Sequence, residues 1–105
     1  MKPALLLTLL TTAISGTIAW RLELTTPDNR VAKMHGSGQS LTCYNLRWSP
    51  ALKINRAYFI REALPSSAKF ELYKDKDCRG LTYKSGPGRH RFTTRVVKSY
   101  RIRKN

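Results

Sequence analysis

Acidic residues are scarce in this chain: its 105 residues include six Asp and Glu against 20 Lys and Arg. Such an imbalance repels itself and favours polyanionic partners, whether nucleic acid, acidic glycan or anionic lipid. Cysteine is equally sparse. Cys43 and Cys78 are the only two, and with the isolated His35 and His90 they are too few for a metal centre. After the amino-terminal stretch no apolar run approaches the length of about 20 residues that a spanning helix needs. No Gly-Lys-Ser/Thr closes a glycine-rich loop, so a Walker-type phosphate cradle is excluded. Helix signals are poor throughout.

What is present begins with a secretory pattern. Met1 and Lys2 make a short charged start, Ala4 to Thr12 is nearly all apolar, and Thr17-Ile18-Ala19 supplies small residues for cleavage before Trp20. Residues 1–19 are therefore expected to be a signal peptide, leaving Trp20 to Asn105 as a secreted extracellular domain without a transmembrane span. That domain holds 19 Lys and Arg against Glu23, Asp28, Glu62, Glu71, Asp75 and Asp77, a net charge of +13. Hydrophobic burial alone leaves little margin at this size. In an oxidising compartment the simplest staple is one Cys43–Cys78 disulfide.

The periodicity is that of strands. Leu22 and Leu24, then Phe70 and Leu72, alternate with charged neighbours, and Ala57 to Arg61 and Val96 to Arg103 mix aromatic or β-branched residues with Lys and Arg. A turn of helix is allowed after Pro50 in "SPALKINRA". Turns are expected at Pro27-Asp28-Asn29, Gly36-Ser37-Gly38, Pro65-Ser66-Ser67 and Gly86-Pro87-Gly88. An internal repeat links these signals: "LEL" at 22 with "FEL" at 70, "GSG" at 36 with "GPG" at 86, and "KINRAYFIR" at 53 with "RVVKSYRIR" at 95. In that register Lys53, Arg56, Tyr58, Ile60 and Arg61 match Arg95, Lys98, Tyr100, Ile102 and Arg103. Two copies, about 20–62 and 69–105, predict an all-β sandwich of two Greek keys.

The second copy carries a recognisable corner. Tyr73, four residues, Cys78, one residue and Gly80 resembles the βγ-crystallin signature of aromatic, four residues, aromatic, one residue and glycine, with Cys78 replacing the second aromatic. Ser99 falls near the serine that ties the family's folded hairpin. In the first copy, Ala32 falls near the glycine position and Ala57 replaces the serine. The resemblance implies that the third strand of each motif crosses to the partner sheet, which would bring Cys43 to the corner holding Cys78 and lock the motifs together. It also implies calcium sites before the serine-bearing strand, but Lys53, Ile54, Arg95 and Val96 stand there. No calcium, and no other metal or cofactor, is expected.

Function is expected on the carboxy-terminal cations. "KSGPGRHR" at 84–91 sets basic residues around a glycine turn, whose free N–H groups suit an anion. Lys84, Arg89, Arg91, Arg95, Lys98, Arg101 and Arg103 are the candidate anion-binding residues, with Arg89, Arg91 and Arg95 expected on one face. Trp48, in the loop-like "YNLRWSP", is the candidate exposed aromatic contact. His35, His90, Glu62 and Glu71 supply the residue types of a secreted ribonuclease, without a surrounding nuclease motif. The reading is a monomeric, non-enzymatic cationic protein that acts on another cell or its surface by binding anionic polymers or membranes. Fungal secreted toxins and effectors use such scaffolds, and an effector role would add a host protein as partner. A ribonuclease, or a structural wall- or matrix-binding protein, is the alternative.

Overall fold

Alternating burial along the chain becomes eight strands in the computed structural model, which describes residues 19–36, 42–47, 52–65 and 67–103. They are β1 (Trp20–Thr25), β2 (Val31–Gly36), β3 (Cys43–Asn45), β4 (Leu52–Ile60), β5 (Lys69–Asp75), β6 (Arg79–Ser85), β7 (Gly88–Val97) and β8 (Ser99–Arg103). All pairings are antiparallel, in two four-stranded sheets ordered β2-β1-β4-β7 and β3-β8-β5-β6. Each sheet thus takes three strands from its own half and the third strand of the other half. The apolar faces meet between the sheets. Leu22, Leu24, Ile54 and Phe59 line one side, and Phe70, Leu72, Tyr100 and Ile102 the other, all buried.

The strand exchange puts Cys43, on β3, opposite Arg101 of β8, and Cys78 in the β5–β6 turn. A Cys43–Cys78 disulfide joins them across a Cα separation of 5.9 Å. The same corner is held by side chains. Cys78 N–H donates to Ser99 Oγ at 2.9 Å, and the Ser99 hydroxyl donates to Asp75 O at 2.5 Å. Asp77 and Cys78 both take positive φ, as does Gly80 at 74°. Gly80 is suited there because it lacks the Cβ that makes this conformation costly. Ser99→Ala leaves a backbone donor and acceptor without this partner, and is expected to lower unfolding free energy by about 1–3 kcal/mol. Urea denaturation of the purified mutant measures the loss; an unchanged midpoint would contradict the role given to Ser99.

The repeat exists, but its register differs by one residue from the sequence alignment. Leu24 pairs with Ala57 and Thr25 with Arg56, while Leu72 pairs with Tyr100 and Tyr73 with Ser99. Since Leu24 and Leu72 are equivalent, Arg56, not Ala57, stands in the place of Ser99. Its guanidinium does similar work, donating from Nη2 to Thr26 O at 2.8 Å and Asn29 Oδ1 at 2.7 Å in the β1–β2 turn. A slip of one residue exchanges the faces of a strand. Tyr100 therefore points into the core, whereas Tyr58, matched with it by sequence, lies on the outer face. The helical turn after Pro50 is also corrected. From Leu52 onward the segment is already strand β4, with Leu52 and Ile54 buried; residues 48–51 lie outside the described residues.

Candidate functional site

The seven cations expected to bind anions do not form one patch. Arg89 and Arg91 lie on the outer face of the first sheet, opposite Tyr58 and Arg56. Arg95 is parted from them by a register shift: the step from Arg91 to Arg95 on β7 matches only the step from Arg56 to Ile54 on β4. The surplus residues turn Arg95 to the side of the core-facing Ile54. There its guanidinium donates to Thr82 O and lies 5.5 Å from the Tyr83 ring centroid and 5.4 Å from that of Phe92. Lys98 sits in the break between β7 and β8 and is exposed. The expected common face of Arg89, Arg91 and Arg95 is thus corrected to Arg89 and Arg91 alone.

Lys84, Arg101 and Arg103 belong to the second sheet, where they surround an acid. Glu71 on β5 pairs across strands with Lys84 on one side and Arg101 on the other. Its carboxylate accepts the Tyr73 hydroxyl and lies 3.8 Å from Arg103 Nη1, although Glu71 is only 5% exposed. Burying a carboxylate requires such partners. Arg103 is thus engaged by a carboxylate of its own chain, with Lys84 and Arg101 as that carboxylate's cross-strand neighbours.

Burial pushes the Tyr73 hydroxyl up to about 12, reinforced by its hydrogen bond to Glu71 and the negative charge there. Tyr100 is likewise raised to about 12, first by burial and then by Tyr44. Free tyrosine ionises near 10, so above that pH the unfolded chain loses protons that the folded chain keeps. The contribution to stability is complete below pH 10 and disappears as pH rises from about 10 to about 12. Phenolate absorbance followed with unfolding should show this alkaline window. Titration of every tyrosine near 10 without unfolding would refute it.

Three further cations join Arg89 and Arg91 on the first sheet's outer face. Cross-strand rows run His35, Arg21 and Ile60; Lys33, Glu23, Tyr58 and Arg89; and Val31, Thr25, Arg56 and Arg91. Arg21, Lys33, Arg56, Arg89 and Arg91 therefore share a face with one acid, Glu23. Among the described residues none of the five is in an ion pair. The Arg89 guanidinium lies 4.1 Å from the Tyr58 ring centroid, a cation–π contact that holds it extended over the sheet. Glu23, Thr25, Arg56, Tyr58, Arg89 and Arg91 border a cleft of about 420 Å3.

Arg21, Lys33, Arg56 and Tyr58 were not among the residues expected to form the site. The signal for Arg21, Arg56 and Tyr58 was present in "WRLEL" and "NRAYFI", where polar and aromatic residues alternate with buried Leu22, Leu24, Ala57 and Phe59. Most of the other aromatics are interior or packed against the core. Trp20, Tyr44 and Tyr100 pack together, with the latter two stacked at 5.1 Å, and Phe70, Tyr83, His90 and Phe92 form a second cluster. Trp48 lies outside the described residues.

The residues that supplied the ribonuclease alternative stand apart. His35 is on the outer face at β2, at one edge of the first sheet. His90 points inward from β7, at the other edge, with Nε2 2.8 Å from Gly86 O. Glu71 is on the opposite sheet, and Glu62 is in the turn after β4. No three His, Cys, Asp or Glu converge as metal ligands among the described residues. No helix among them is long and apolar enough to cross a membrane. No family model, curated protein or solved structure matches the chain.

Proposed function

We propose that the chain is a secreted, cationic, βγ-crystallin-like protein that binds anionic polymers or membranes at the surface of another cell. It acts as an effector or antimicrobial toxin rather than an enzyme, and needs neither metal nor cofactor. The observation that carries the reading is the outer face of the first sheet, where five cations meet a single carboxylate and, among the described residues, none is used in an internal ion pair. Their fields add, and a charged ligand is drawn to such a face before any specific contact forms. The exchanged third strands and the disulfide support the crystallin-like part of the reading. The amino-terminal pattern supports secretion; residues 1–18 lie outside the described residues.

A binding screen of the oxidised domain against anionic vesicles, acidic glycans and RNA at two salt concentrations tests the proposal. Binding to at least one polyanion should fall steeply as salt rises, because neutralised ligand charges release counterions. Salt-independent binding, or none, would refute it.

A further inference from the structure

We propose that the cleft on the first sheet is a subsite for one anionic sugar unit of an acidic glycan. Arg56 and Arg91 take its sulfate or carboxylate, and Glu23 and Thr25 take its hydroxyl groups. This inference deepens the reading above and rests on it.

Arg56 and Arg91 are direct cross-strand neighbours. Like charges placed so destabilise a sheet, and an oxyanion between them removes that penalty, met by the planar donor fork of Arg91 and by the Nη1 hydrogens of Arg56. Arg56 is held by Thr26 O and Asn29 Oδ1 on Nη2 and by Asn55 Oδ1 on Nε, which leaves its Nη1 hydrogens for an anion. Its position therefore does not have to be fixed by the ligand.

Glu23 decides which polyanion fits. It sits between Lys33 and Tyr58 in the middle row, yet makes no ion pair among the described residues. A carboxylate only accepts hydrogen bonds, so a chain of phosphodiesters crossing it would meet repulsion, whereas a sugar hydroxyl would meet an acceptor. Thr25 beside it can donate or accept. Nucleic acid is further disfavoured by Tyr58. Sequence-tolerant binders stack bases on open rings, and here Arg89 covers the Tyr58 face at 4.1 Å. A cleft of about 420 Å3 is also the size of a small-molecule site, suited to one sugar rather than to a protein surface.

The sign of one mutation separates this site from general charge attraction. Glu23→Gln and Thr25→Val are compared with the wild-type domain by calorimetric titration against a sulfated heparin oligosaccharide, an oligogalacturonate and a single-stranded RNA of matched charge. Glu23→Gln should weaken binding of the preferred glycan about tenfold, through loss of a charge-assisted hydrogen bond, and tighten RNA binding by removing a negative charge. Thr25→Val keeps the charge and should weaken glycan binding alone; it also serves if the first variant fails to fold. Preference between the two glycans identifies the anionic group. Unchanged or tighter glycan binding by the Gln variant overturns the inference, and for a misfolded Gln variant so does unchanged binding by the Val variant. Wild-type binding to RNA or vesicles but to neither glycan overturns it while leaving the functional proposal standing. No binding to any polyanion ends both.

Discussion

Replacing Cys43 and Cys78 together by Ser should lower the unfolding free energy by roughly 4 kcal/mol, the chain-entropy estimate for a closed loop of this length. The bridge spans 35 positions and ties the third strand of the first half to the first corner of the second. Without it, β3 is held by a three-residue ladder on β8, by Tyr44 against Trp20 and Tyr100, and by the Asn45–Asp77 contacts, in which Asp77 N–H donates to Asn45 Oδ1 at 2.8 Å and Asn45 Nδ2 donates back at 3.1 Å. Small domains are stable by only about 5–15 kcal/mol, so the loss is a large share. Urea unfolding of the double mutant beside the oxidised wild type measures it. A loss below about 1 kcal/mol would mean that side-chain contacts, rather than the crosslink, hold the two halves together.

Phe70→Ala is expected to cost about 3–5 kcal/mol, the range for removing a buried aromatic ring. Phe70 is fully buried on β5 and faces the first sheet, with ring centroids of Phe59, His90 and Tyr83 at 5.5, 5.4 and 6.0 Å. The cavity would open between the sheets, where rigid strands on both sides limit collapse. Leu81→Ala is the control, since Leu81 is among the exposed large hydrophobics and should cost little. Equal losses from the two substitutions would contradict the core described here.

Much of the fold was legible because its signals are local. Leu22, Leu24, Phe70 and Leu72 announce two inward-facing strands by alternation, and the repeat of their segments announces two similar halves. The bridge also followed from having only two cysteines in an oxidising setting. The outer faces were harder to read, for physical reasons that particular residues show. Aligning Tyr58 with Tyr100 joined two aromatics by type, but the pairing of β4 with β1 is one residue out of step with that of β8 with β5 under this alignment, which sets them on opposite faces. That single step concealed Arg56 and Tyr58 as surface residues. Arg95 was misplaced by a separate irregularity between β4 and β7, since simple alternation from Arg89 does not survive surplus residues. Lys84 was expected beside Arg89 and Arg91 at the glycine turn, but it joins Arg101 and Arg103 around a carboxylate that comes from β5 and is invisible to a reading along the carboxy-terminal segment.

The first sheet's outer face, rather than bulk charge, is proposed to bind anionic polymers. The decisive measurement compares Arg56, Arg89 and Arg91 changed together to Ser with Lys69, Lys74 and Lys76 changed together to Ser. Both mutants lose the same charge, and the three lysines are exposed on and beside β5 of the other sheet. Affinity for the polyanion preferred by the wild type is measured across a salt series for each protein that retains its melting cooperativity. The arginine mutant should lose most of its binding and show a shallower dependence on salt, by about one unit of slope per phosphate-like contact removed, while the lysine mutant should stay close to wild type. Equal losses and equal slopes in the two mutants would contradict the proposal.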